Sequence, residues 1–198
     1  MSLEMYERIL DDLKRSKYMG EIHLYLMAEP LCDPRMKDWI RMAREVFPQN
    51  VIFISTNGDY LDSPEAADAL IDAGLTWMAI SDYAGNGRFN EFMNNPDVVV
   101  TKLADLEWFF YNRGGHVNVK CPHPKEVCDW VFGKAYINYR GEVILCCSDY
   151  NYEVVFGNVK DKRFIEIYNC PEYRRYRKEH AQGRGKSLPL CERCNRIQ

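Results

Sequence analysis

Four cysteines in the last third of the chain carry its clearest chemistry. Cys128 is followed by twelve residues, Gly141, four more residues and Cys146, while Cys191 and Cys194 form a CxxC near the C-terminus. Two short pairs brought together by folding place four thiolates around one ion or cluster. Thiolates are soft ligands, so the set suits tetrahedral zinc or an iron–sulfur cluster and not a hard cation such as Mg²⁺ or Ca²⁺. Spacing alone leaves iron–sulfur and zinc both open. Cys147 follows Cys146 directly, and in an extended segment its side chain points to the opposite face, as a packed thiol. Cys32, Cys121 and Cys170 have no partner at ligand spacing and read as core or loop residues.

The rest of the chain is long and apolar enough to position such a site. It has 198 residues, 46% of them hydrophobic, which supports one full domain or a domain with a small appendage. No apolar run approaches the ~18 residues of a membrane span, and the charged N-terminus lacks a signal-peptide core. A cytoplasmic protein is expected, in which eight cysteines serve as metal ligands or reactive thiols rather than as disulfides. A net charge of −3 points to neither a nucleic-acid nor a membrane partner. The basic stretch Arg174, Arg175, Arg177 and Lys178 reads as a solvated helix face.

Hydrophobic periodicity supplies the elements. Leu3, Ile9, Leu10 and Leu13 predict a helix, and Ile22 to Met27 a strand. Met36, Ile40, Ala43 and Val46 predict a second helix closed by Pro48, followed by a strand at Val51 to Ile54. Ser63-Pro64 opens a helix that ends at Gly74. Trp77 to Ile80, Val98 to Val100 and His116 to Lys120 read as strands, with a helix from about Lys102 to Asn112 between the last two. Strands alternating with helices argue for a parallel α/β sheet or partial barrel, with ligands at the C-terminal strand ends. A boundary is expected at about residue 121, dividing the chain into 1–120 and 121–198. The second unit reads as a hairpin, Ala135 to Tyr139 and Glu142 to Cys146, turning at Arg140-Gly141, and then two helical stretches, Phe164 to Ile167 and Tyr173 to His180. A module this small is the kind that a metal site stabilises.

Taken together, these cysteines resemble those of the auxiliary-cluster domain of radical SAM enzymes, of the SPASM or shorter twitch type. Trp130, Cys146-Cys147-Ser148-Asp149 and Phe156-Gly157-Asn158-Val159 are similar to its surroundings. The resemblance implies one auxiliary [4Fe–4S] cluster on Cys128, Cys146, Cys191 and Cys194. It extends to the first half: Ala28-Glu29-Pro30 resembles the GEP motif that holds the amino group of S-adenosylmethionine. Ser55-Thr56-Asn57-Gly58 resembles the segment near that cofactor's ribose and methionine, and Ser81-Asp82 a third segment on the same face. Glu29, Pro30, Ser55, Thr56, Asn57 and Ser81 are thereby implied as cofactor-binding residues on an incomplete (β/α) radical-SAM-type barrel, followed by a small hairpin-plus-helix cysteine domain.

The function this implies is generation of a 5′-deoxyadenosyl radical that removes a hydrogen from a peptide or small-molecule substrate. The auxiliary cluster would accept an electron or help hold the substrate, and flavodoxin or ferredoxin would donate electrons. The family's CxxxCxxC, which holds the cluster that reduces S-adenosylmethionine, has no counterpart here. The expectation is a fragment whose catalytic cluster lies upstream, rather than a relative that has lost it. The alternatives are a non-catalytic protein with a structural Cys₄ zinc site, or an electron-transfer iron–sulfur protein.

Overall fold

The computed structural model describes residues 1–102, 105 and 110–197, which fall into two compact units. One unit is Lys17–Leu106. Its sheet has four parallel strands in the order β1 (Ile22–His23), β2 (Ile52–Thr56), β3 (Trp77–Asp82) and β4 (Val98–Lys102). Helices α2 (Met36–Val46) and α3 (Pro64–Ile71) connect them. In α2, Met36, Trp39, Ile40 and Ala43 are buried at i, i+3, i+4 and i+7, which gives the helix one apolar stripe. The even-numbered strand residues Ile22, Ile52, Ile54, Met78, Ile80 and Val98 are buried. The odd-numbered face is more open, and there Phe53 stacks on Trp77 at 4.0 Å while Val99 is exposed.

Arg44, on α2, fastens the N-terminal edge of this sheet. Its guanidinium donates to the carbonyls of Phe47, Pro48, Asn50 and Gly74 and to the Thr76 hydroxyl, at 2.8–3.1 Å. Loop carbonyls without a ladder partner are satisfied by one rigid five-donor fork.

The other unit comprises Met1–Ser16 and Glu107–Gln198. Its elements are α1 (Leu3–Arg15), α4 (Trp130–Gly133), an antiparallel sheet of β5 (Tyr136–Ile137), β6 (Glu142–Ile144) and β7 (Val155–Asn158), then α5 (Phe164–Tyr168) and α6 (Pro171–Ala181). Gly141 (φ +82°) makes the expected hairpin turn, where a side chain would be strained. At its core Phe156 stacks on Tyr173 at 4.0 Å and meets Tyr176 edge-on.

The compact units do not follow the boundary expected at residue 121. Helix α1 packs with the cysteine unit: Met5 and Ile9 join its core, Arg8 donates to the Val159 carbonyl, and the buried Asp12 carboxylate accepts the Phe164 amide N–H. Residues 110–120 belong to the same unit. The strand expected at His116–Lys120 does not form. Val117 N–H bonds the Asn112 carbonyl, and the Val119 carbonyl accepts from the Asn195 side chain, so the backbone is satisfied without a ladder. The first strand is shorter than Ile22 to Met27, and β7 and α4 are additions. Most of the helix expected over Lys102 to Asn112 lies outside the described residues. Among those described, no helix is long and apolar enough to cross a membrane.

Asp12→Ala would strand the buried Phe164 N–H. Urea unfolding of the variant is expected to show a loss of about 1–3 kcal/mol; a loss within ±0.5 kcal/mol would contradict the contact.

Candidate metal centre and cofactor face

Three segments of the cysteine unit converge on one cavity. Cys128 reaches it from just before α4, Cys146 from just after β6, and Cys191 and Cys194 from a 3₁₀ turn at Cys191–Arg193. Pairing between Lys125 and Ile197 brings the first segment to the last, with Lys125 N–H bonded to the Arg196 carbonyl at 2.8 Å. The backbones and side chains of Asn112 and Asn195 bond each other reciprocally at 2.6 and 2.9 Å, which holds the chain just after Cys194. Leu190, with φ 63° and ψ −45°, turns the backbone into the CxxC. That conformation costs on the order of 1–3 kcal/mol, and full burial of the Leu190 side chain offsets it.

The loop from Cys146 is fixed by Asp149. Its buried carboxylate accepts the amide N–H groups of Glu153 and Val154, at 2.7 and 2.9 Å. The Ser148 N–H works to lower the Cys146 pKa, and the Trp130 N–H that of Cys128. A donor two residues beyond each cysteine favours the thiolate. Burial works in the other direction: it pushes the Cys128, Cys146 and Cys191 thiols up, Cys191 to about 12. The cavity walls are otherwise Trp130, Val131, Leu145, Leu190 and Ile197, with Ser148, His180 and Arg196 and no carboxylate. An all-sulfur donor set in apolar walls fits an iron–sulfur cluster or zinc and rejects hard cations. Among the described residues, no three His, Cys, Asp or Glu side chains are gathered as a single bound ion requires.

All four expected ligands therefore line the site. Cys147 lies outside the lining, with its sulfur 3.9 Å from the Tyr111 hydroxyl. Cys170 caps α6, accepting from Tyr173 N–H, and Cys32 is exposed. The sequence reading missed His180 and Arg196. His180 shares a helical face with Tyr173 and Tyr176, at i+7 and i+4, and Arg196 follows Cys194 by two residues, so both positions carried a signal.

The other unit gathers the expected cofactor residues at the C-terminal edge of its sheet. Glu29 Oε1 accepts from Leu31 N–H at 3.1 Å and from the Thr56 hydroxyl at 2.5 Å, and Oε2 accepts from Asn57 N–H at 2.8 Å. Ser55 and Ser81 lie on the open face, beside Ala79 and Thr101 in register. Thr56 and Pro30 are buried, and the Thr56 hydroxyl also accepts the Gly58 N–H at 3.0 Å. The Thr56 hydroxyl thereby braces the Glu29 carboxylate. Gly58 (φ +75°) admits no side chain, because a Cβ there would lie 2.5 Å from Phe89.

Residues 1–102 match the radical SAM superfamily, and residues 128–195 match SPASM, an iron–sulfur cluster-binding domain. The chain belongs to the radical SAM superfamily. Radical SAM proteins use S-adenosylmethionine and iron–sulfur clusters, as expected from the strand-end motifs. Among curated relatives is the S-adenosyl-L-methionine-dependent 2-deoxy-scyllo-inosamine dehydrogenase of Niallia circulans, 24% identical over 212 residues that span 100% of this chain and 81% of the relative. The fold matches a crystal structure of BtrN in complex with AdoMet and 2-DOIA, with a TM-score of 0.87 at 24% identity, over 98% of this chain and 80% of that one. An open conformation of BtrN matches with a TM-score of 0.77 at 21% identity, over the same shares.

In metal-free protein at about pH 8, iodoacetamide is expected to modify exposed Cys32 well before Cys191, because the thiolate is the reacting form. Peptide mass mapping reads the order, and equal rates would contradict the burial of Cys191. Glu29→Ala is expected to speed amide hydrogen exchange at Asn57, whose acceptor it removes; unchanged exchange would show that Glu29 does not hold this loop.

Proposed function

We propose that the chain supplies the S-adenosylmethionine face and the auxiliary-cluster module of a radical SAM oxidoreductase that dehydrogenates a small polar molecule. Cys128, Cys146, Cys191 and Cys194 would hold an auxiliary [4Fe–4S] cluster. The observation that carries this reading is the convergence of four cysteines from three segments on one largely apolar cavity.

When bound, S-adenosylmethionine with a reduced cluster supplies a 5′-deoxyadenosyl radical for hydrogen abstraction, and the auxiliary cluster supplies an electron sink. The chain's own residues bind and orient. Each oxygen of Glu29 can accept two hydrogen bonds, and three of the four places are filled by Leu31, Thr56 and Asn57. The remaining place on Oε2 suits an ammonium group such as that of S-adenosylmethionine. Ser55, Ser81 and Thr101 put hydroxyl groups on the open sheet face, which suits polar ligands. The dehydrogenase relative, named for an aminocyclitol-type substrate, favours a small molecule over a peptide.

The CxxxCxxC spacing that would hold the cluster that reduces S-adenosylmethionine does not occur among these 198 residues. Anaerobic reconstitution tests the module: roughly four irons and four sulfides per chain, with a brown chromophore lost in Cys191→Ala, are expected. Stoichiometric zinc with no visible absorption would overturn the reading. The same preparation is expected to form no 5′-deoxyadenosine from S-adenosylmethionine and dithionite, and its appearance by chromatography would refute that expectation.

A further inference from the structure

Two further side chains, His180 and Arg196, line the cavity beside the four cysteines. His180, on α6, is buried at 2% exposure, and its Nε2 lies 3.5 Å from the Cys191 sulfur. Its Nδ1 is buried with no partner among the described residues. A Cys191 thiolate holding a cluster has no proton to give, so at this contact Nε2–H is the donor and the sulfur the acceptor.

Arg196 occupies the Cys128 side of the cavity. Its guanidinium stacks over the Trp130 ring at 4.0 Å and donates to the Asp129 carboxylate at 3.0 Å, while its Nε is buried without a partner among the described residues. The two charges are not equally felt within the cavity. The Arg196 side chain is 16% exposed and that of Asp129 is 61% exposed, so water screens the carboxylate far more than the guanidinium. The guanidinium is thus the less screened charge on the Cys128 side of the cavity.

We propose that His180 and Arg196 are positioning residues that raise the reduction potential of the cluster held by Cys128, Cys146, Cys191 and Cys194. This rests on the auxiliary-cluster reading above. Reduction adds one negative charge to a body whose charge is shared with its sulfur ligands. Hydrogen bonds and positive charge at those sulfurs stabilise the reduced form more than the oxidised form. The two donors act on different cysteines from different segments, so their effects are expected to add. The result is a cluster poised to take up an electron.

The test is an anaerobic redox titration of the reconstituted full chain, followed by electron paramagnetic resonance, after iron and sulfide are counted. His180→Leu is expected to lower the equilibrium constant for reduction about tenfold, which is about 59 mV for a one-electron couple. His180→Gln, which keeps a side-chain N–H, is expected to recover most of that shift. Arg196→Met should shift the potential in the same direction, and Arg196→Lys, which keeps the charge, should recover most of it. The two pairs are independent, so a His180 variant that fails to fold leaves the Arg196 pair to decide. Full iron and sulfide with an unchanged potential in the loaded variants would overturn the proposal while leaving the auxiliary-cluster reading intact. Wild-type protein that takes up no iron and sulfide would overturn both.

Discussion

Sulfur ligands must ionise to bind a metal, yet the place built for them resists ionisation. The cavity around Cys128, Cys146, Cys191 and Cys194 is walled by Trp130, Val131, Leu145, Leu190 and Ile197, and burial there pushes the Cys128, Cys146 and Cys191 thiols up. The polar features of the unit answer that one conflict. The N–H groups of Trp130 and Ser148 work to lower the pKa of Cys128 and Cys146, Asp149 clamps the loop that presents one of them, and His180 and Arg196 bring further donors to the other side. Metal–sulfur bonds then supply what burial withholds, so folding and metal loading are coupled. Such an arrangement needs a firm surround, which the stack of Phe156 on Tyr173 and the buried Tyr176 provide on the side of α6.

The unit with the parallel sheet solves a simpler problem. One face of its strands is buried, so the other is free to carry hydroxyl groups and aromatic rings toward a ligand. Parallel pairing puts every strand's C-terminal end at one edge, and the Glu29 carboxylate ties two of those ends together through Thr56 and Asn57. At the opposite edge Arg44 gathers the loop carbonyls. Rigid pinning at both edges is what a site needs when the placement of a cofactor, rather than acid–base chemistry, is the protein's contribution.

Much of this was legible in the sequence because two kinds of signal were strong. Cysteine spacing needs no knowledge of tertiary structure, and the apolar runs at Val51–Ile54, Trp77–Ile80 and Val98–Val100 are separated by helical patterns of ordinary length. What was not legible depended on contacts between residues distant in sequence. His116–Lys120 alternates as a strand should, yet its backbone is taken by Asn112 and Asn195, so no partner strand is required. Thr56 was grouped with Ser55 and Asn57 as facing the cofactor. The two-residue period of a strand places it on the buried side, and that inference needed only the parity of its neighbours.

Helix α1 shows why a compact unit need not be contiguous along the chain. Its stripe of Met5, Ile9 and Leu10 reads as an amphipathic helix that could seal either unit, and nothing local in the sequence chooses between them. The choice is made by Asp12, whose carboxylate is buried and must have donors, and which finds one in the Phe164 amide at the start of α5. Arg8 does the same in the opposite sense, giving its N–H to the Val159 carbonyl next to β7. These two polar contacts thus help set the docking of an amphipathic helix by demanding specific partners, where hydrophobic burial alone would accept many surfaces. The core that surrounds the cysteine cavity is therefore completed from the far end of the chain, and residues 121–198 taken alone would expose the surface that Met5 and Ile9 cover.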